Sequence, residues 1–172
     1  MSKLVIVVDM QNDFIDGALG TSEAVAIVPN VKSYLETIKD EDVTLVFTRD
    51  THEEDYLETQ EGRKLPVKHC INGTQGWEIC DALKPYAEDC VIFDKPTFGS
   101  VDLQQFVLEN EFDEIELMGL CTDICVISNA MLVKAALPEA TVVIRSDCCA
   151  GVSVESHQNA LNAMAVCQIE IV

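Results

Sequence analysis

No apolar run in the chain approaches the roughly 20 residues needed to cross a bilayer, which excludes a helical membrane anchor. Positive charge is scarce: 11 Lys and Arg stand against 30 Asp and Glu, a formal net charge of −19. Such a field repels phosphate backbones and anionic headgroups, so neither nucleic acid nor membrane is an expected partner. No C-x-x-C pair occurs among the eight cysteines, which are scattered from Cys70 to Cys167 in a chain of 172 residues. A chain of that length builds its own core and needs no disulfide framework. The run Leu4–Val8 is broken by Asp9 before it could form a signal-peptide core, so free thiols in a reducing cytoplasm are the expectation. Repeats and low-complexity stretches are also missing. The loop from Asp9 has no glycine before Gly17, which rules out a G-x-G-x-x-G pyrophosphate cradle, and the D-x-D spacing of Mg²⁺-dependent phosphoryl transfer fails at Gln11.

What is there is a 48% hydrophobic chain with a mean hydropathy of +0.16, too apolar for disorder. Short β-branched runs recur at Leu4–Val8, Val43–Thr48, Cys90–Phe93, Ile115–Met118, Thr141–Ile144 and Gln168–Val172. Most are continuously apolar, as strands covered on both faces are. Helical patterns lie between them. One opens at Val28-Pro29 with Pro29 in its first turn, one is capped by Ser100, one runs from near Asp123 to about Ala136, and one follows Ser153 to about Val166. The alternation predicts a three-layer α/β/α fold with a mostly parallel sheet, whose ligands bind beyond the carboxyl ends of the strands.

Those strand ends carry Asp9, then Asp50 and His52, then Lys95, then Gly119-Leu120-Cys121-Thr122-Asp123-Ile124-Cys125. Cys125 falls in the first turn of a helix, where unpaired N–H groups and the helix dipole favour a thiolate. The alternative is a buried structural cysteine. Lys95 and Asp9 favour the nucleophile, because a cation lowers the thiol pKa and a carboxylate can carry its proton. The same N–H groups can hold an oxyanion. Asp50, His52 and the later His69 suit Zn²⁺, Mn²⁺ or Fe²⁺, with Glu61 as a further ligand; the alternative is a solvated acidic loop. Asp13 and Asp16 read as solvated or capping residues, His157 as capping or packing, and Cys148-Cys149 as packing residues in a turn.

The segments Val7–Phe14, Thr48–His52, His69–Thr74, Asp94–Ser100, Gly119–Val126 and Ser146–Gly151, with His157 and Ala160-Leu161, together resemble the isochorismatase-like cysteine hydrolase superfamily. Within it they are most similar to the nicotinamidase/pyrazinamidase branch. The resemblance covers nearly the whole chain and implies one domain over residues 1–172 with a parallel six-stranded sheet. It implies a catalytic triad of Asp9, Lys95 and Cys125, and an oxyanion hole from the backbone amides of Cys121 and Cys125 after a cis peptide at Leu120-Cys121. It also implies a divalent ion, zinc first, on Asp50, His52, Glu61 and His69, and substrate contacts from Phe14 and Leu120. The chain departs from the family at Leu65–Lys68 and Ile124, where aromatic residues, or His at the latter, are frequent.

The expected reaction is hydrolysis of a small carboxamide, nicotinamide first, through a thioester. Alternatives are an N-carbamoyl or ureido substrate, with Arg49 or Arg63 to hold its carboxylate, and a non-catalytic binding protein on the same fold. A homo-oligomer is also expected.

Overall fold

The computed structural model describes residues 2–172. Six strands, β1 (Lys3–Val8), β2 (Thr44–Asp50), β3 (Val91–Lys95), β4 (Glu114–Leu120), β5 (Thr141–Ala150) and β6 (Glu170–Ile171), form one sheet in the order β3-β2-β1-β4-β5-β6. Every neighbouring pair is parallel. The α-helices are α1 (Asn12–Ile15), α2 (Ser22–Ile38), α3 (Gln60–Lys64), α4 (Lys84–Ala87), α5 (Val101–Asn110), α6 (Ile127–Ala136) and α7 (Val154–Val166). A 3₁₀ turn precedes α3 at Tyr56–Glu58, and a π-helical turn, Thr122–Val126, leads into α6. The residues of β1 from Leu4 to Val8 are all fully buried, because helices cover both faces of a parallel sheet. Right-handed crossovers put α2, against β4 and β5, on one face; α5, α6 and α7 pack in succession on the other.

The chain builds outward from β1 to β2 and β3, then returns to lay β4 against the other edge of β1. The connections therefore diverge between β1 and β4, and a crevice opens at their carboxyl ends. Close approach there requires Gly119: its φ is +122°, and a Cβ would lie 2.1 Å from the Val8 carbonyl oxygen.

Two expectations need correction. The first long helix starts at Ser22, not at Val28-Pro29, because the Thr21 hydroxyl caps it by accepting the Ala24 N–H at 3.0 Å. Pro29 consequently sits in the helix interior, on its exposed side, where water can satisfy the carbonyl that proline leaves without a donor. Cys148 and Cys149 lie within β5 rather than in a turn, since its pairing with β4 resumes at Gly119↔Cys149 and continues to Ala150. No helix among the described residues is long and apolar enough to cross a membrane.

Candidate active site

Four strand ends deliver the site. Asp9 follows β1 in a left-handed conformation (φ +46°), Asp50 and Lys95 are the paired last residues of β2 and β3, and the turn after β4 presents Cys125. All are buried. The Lys95 ammonium lies 2.6 Å from Asp9 Oδ2, 3.4 Å from Cys125 Sγ and 3.6 Å from Asp50 Oδ1, and it donates to the Thr97 carbonyl at 3.1 Å. Asp9 Oδ1 accepts the Thr48 hydroxyl at 2.6 Å. Asp9 Oδ2 holds the Lys95 ammonium at 2.6 Å and has room for a further proton.

Burial pushes the Asp9 pKa up, Asp50 adds to the rise, and Lys95 opposes it. The Cys125 thiol is raised well above 9.0, first by burial and then by the Asp9 charge, with Lys95 again opposing. Burial thus opposes the pull toward a thiolate that the helix turn and Lys95 exert. Enclosure away from water outweighs both the cation and the turn's N–H groups, so the proton stays on sulfur until an acceptor takes it.

The Leu120-Cys121 peptide is cis. The Cys121 N–H donates to no backbone carbonyl among the described residues, while its carbonyl accepts from Ile124 and Val126 at 3.0 Å. A free donor is thereby left on the same turn as the sulfur. Cys121, Ile124 and Cys125 line a cavity of about 50 Å³ together with Phe14, Leu19, Asp50, Glu61, Leu65, His69 and Phe98. That cavity shares walls with an outer recess of about 700 Å³ bordered by His52, Lys64, Pro96 and Asp123. Phe14 faces the inner cavity and packs on the His69 ring at 5.6 Å. Leu120 does not line either cavity; it is buried in the core, and Leu65, Phe98 and Ile124 provide the apolar wall instead.

Beside the cavity, Asp50 Oδ2 is 2.9 Å from His52 Nε2 and 3.4 Å from His69 Nε2; Glu61 Oε1 is 3.6 and 3.8 Å from the same nitrogens. These four residues offer ligand atoms within 4.8 Å of one another. Tetrahedral ligands on zinc at about 2.1 Å stand about 3.4 Å apart, so the group fits a divalent ion of that size. The His69 Nδ1 lies 2.8 Å from the Val67 carbonyl, an outer bond that turns Nε2 inward. Burial would raise the Asp50 pKa, but bonds to His52 and His69 and the Lys95 charge hold it well below the usual carboxylate range.

Several supporting residues escaped the sequence reading. Gln11 is fully buried; its amide holds Asp50 by accepting the Asp50 N–H and donating to the Asp50 and Trp77 carbonyls, each at 2.8 Å. Asp13, read as solvated or capping, accepts the Cys70 N–H at 2.8 Å and so ties down the loop that carries His69. Tyr56 is buried with its ring 4.7 and 5.0 Å from those of His52 and His69. The period-two face shared by Thr48 and Asp50 would have pointed to Thr48. Arg49 is committed elsewhere, bonded to Asp94 at 2.7 and 2.9 Å and stacked 3.7 Å over Trp77; Arg63 is exposed on α3.

The isochorismatase domain family matches residues 3–172. The chain belongs to the isochorismatase family. A Bacillus subtilis member, described as an uncharacterized isochorismatase family protein PncA, is 31% identical, covering 96% of this chain and 95% of its own. The nicotinamidase/pyrazinamidase of Mycobacterium tuberculosis is 27% identical over 99% of this chain and 98% of its own. Among solved structures, the pyrazinamidase of Pyrococcus horikoshii in complex with zinc superposes with a TM-score of 0.85 at 30% identity, over 100% of this chain and 99% of that one. The α/β architecture and strand order are thus those of this isochorismatase-family fold.

Proposed function

We propose that this isochorismatase-family protein is a cysteine amidohydrolase that cleaves a small carboxamide, nicotinamide to nicotinate and ammonia, through a thioester. The observation that carries the reading is the single buried ammonium of Lys95 in contact with both Asp9 Oδ2 and Cys125 Sγ, at the foot of a cavity. A buried cation shared by an acid and a thiol is expensive to maintain for packing alone, and such groupings gather where chemistry is done.

Asp9 takes the thiol proton as the sulfur attacks the amide carbon, and Lys95 stabilises the charge that moves from carboxylate to sulfur. The carbonyl oxygen, becoming negative, is held by the backbone N–H groups of Cys121 and Cys125. Asp9, now carrying the proton, gives it to the departing nitrogen, and ammonia leaves. Asp9 then draws a proton from water as the water cleaves the thioester and restores the thiol. Phe14, Leu65 and Phe98 give a flat ring an apolar slot and keep bulk water from the sulfur.

Asp50, His52, Glu61 and His69 would hold a divalent ion, zinc by its preference for two imidazoles with carboxylates, which would help orient a ring nitrogen or a water. Two carboxylates and two imidazoles with ligand atoms within 4.8 Å of one another suit such an ion. The eight thiols, all free, suit a reducing compartment such as the cytoplasm, and assembly as a homo-oligomer completes the reading.

A ureido or N-carbamoyl acid would need a cation for its carboxylate inside the cavity. Arg49 is already paired, and the cationic wall residue, Lys64, borders only the outer recess. The carboxamide reading is favoured accordingly. The test is ammonia release from nicotinamide, pyrazinamide and ureido acids by the wild type and by Cys125→Ala. Turnover of the pyridine and pyrazine amides, lost in a folded Cys125→Ala protein, is expected. Normal ammonia release by that variant would overturn the nucleophile, and turnover of ureido acids alone would overturn the substrate.

A further inference from the structure

The turn Cys121–Cys125 must hold a backbone N–H and a sulfur in fixed register, and one side of it is tied to its own helix. Ser128 Oγ donates to the Ile124 carbonyl at 2.6 Å, and Asn129 Nδ2 donates to the Cys125 carbonyl at 2.8 Å. The other side rests on the β5–α7 connection. Thr122 is fully buried, and its Oγ1 lies 2.7 Å from His157 Nδ1. The Asp123 carboxylate accepts the Val152 N–H at 3.2 and 3.3 Å. The helix that carries His157 is seated closely: a Cβ at Gly151 would meet the His157 backbone nitrogen at 2.9 Å. The His157 N–H itself donates to the Ser153 carbonyl at 2.9 Å. Burial lowers the imidazole pKa against the opposing charge of Asp123, which favours a neutral ring whose Nδ1 can accept the Thr122 proton.

We propose that His157, acting through Thr122, is a positioning residue that fixes the nucleophile turn in its reactive register. The proposal rests on Cys125 being the nucleophile and the Cys121 amide an oxyanion donor. Thr122 is buried and joins that turn to α7, and its hydroxyl makes no other side-chain hydrogen bond among the described residues. Neither Thr122 nor His157 lines the inner cavity. Loss of the bond therefore shifts the reacting groups without removing any surface that holds the substrate. The effect belongs in kcat rather than KM, because stabilisation present only in the transition state is what is lost.

The test uses the metal-loaded enzyme with nicotinamide. His157→Leu keeps the ring's bulk without an acceptor and is expected to lower kcat by about 10- to 100-fold, as ångström-scale misplacement does, with KM nearly unchanged. His157→Asn places an amide oxygen near the position of Nδ1 and is expected to recover most of the loss. Wild-type kcat in a folded His157→Leu protein, or His157→Asn as slow as His157→Leu, overturns the proposal. Should His157→Leu fail to fold, Thr122→Val tests the same bond from its other end, with the same expected fall in kcat and the same overturning result. If the wild type turns over no carboxamide, the proposed function fails, and the rate of iodoacetamide labelling at Cys125, read by mass spectrometry, decides the positioning role instead. Slower labelling in His157→Leu that is restored in His157→Asn supports it; equal rates in all three proteins overturn it.

Discussion

At the end of β3 one ammonium serves two carboxylates and a thiol, with Lys95 2.6, 3.4 and 3.6 Å from Asp9, Cys125 and Asp50. In the proposed mechanism attack starts from an ionised Asp9 beside a protonated Cys125. Because burial raises Asp9 more than Lys95 lowers it, the acidic limb of kcat/KM should lie at higher pH than an ordinary aspartate would give. Activity is lost as pH falls through that raised pKa, since protonated Asp9 cannot accept the thiol proton. The Thr48 hydroxyl stabilises the carboxylate form, and Thr48→Val should push the limb further upward. A hydrogen bond to a charged group is worth about 1.5–3 kcal/mol, or about one to two pH units. A pH–rate profile checks this; an unmoved limb in Thr48→Val would mean that Asp9 is not the titrating base. The charged members of this group were legible because they stand directly after apolar runs. Thr48, Gln11 and Asp13 were not, since neutral or capping side chains in such positions look the same whether they face water or a buried neighbour.

Between elements, Asn129 on α6 does the joining. Its amide donates to the Cys125 and Phe98 carbonyls at 2.8 and 3.2 Å and accepts the Ser100 N–H at 2.9 Å. It thus binds the Cys125 turn to the segment that follows Lys95 and to the cap of α5. Replacing it by Leu strands several buried polar groups, each costing about 1–3 kcal/mol. Asn129→Leu is expected to lose about 2–4 kcal/mol in denaturant unfolding and most of kcat together; a stable, fully active variant would remove Asn129 from this role. The strands themselves were readable in sequence, because burial on both faces leaves continuous apolar runs, and Ser100 and Ser153 marked their helices by capping. The start of α2 was hidden because its first turns, Ser22–Ala26, mix polar and small residues while Pro29 mimics a beginning. Thr21→Ala should accordingly cost about 1 kcal/mol by removing the cap, measurable as a lower unfolding midpoint with an unchanged denaturant slope.

Over the whole molecule, a net charge of −19 is self-repelling, and Asp50 and Glu61 face one pocket. Burial raises the Glu61 pKa and Asp50 raises it further. A divalent cation there would offset both effects at once, so its binding would contribute stability as well as orientation. With zinc at about 100 times its dissociation constant, the native state gains about 2.7 kcal/mol over metal-free protein. That corresponds to a rise in Tm of about 5–10 °C for a chain of this size. The sign with pH follows from the ligands. Burial would lower the His69 pKa, but its bond to Asp50 raises it above the ordinary 6.5, and a protonated imidazole cannot bind metal. The zinc-induced shift should therefore be full in mildly alkaline solution and shrink as pH falls through the neutral range. Thermal melts of chelated and zinc-loaded protein across that range, with His52→Ala as the control, measure it. A shift that persists undiminished in His52→Ala would place the stabilising ion somewhere other than the Asp50, His52, Glu61 and His69 cluster.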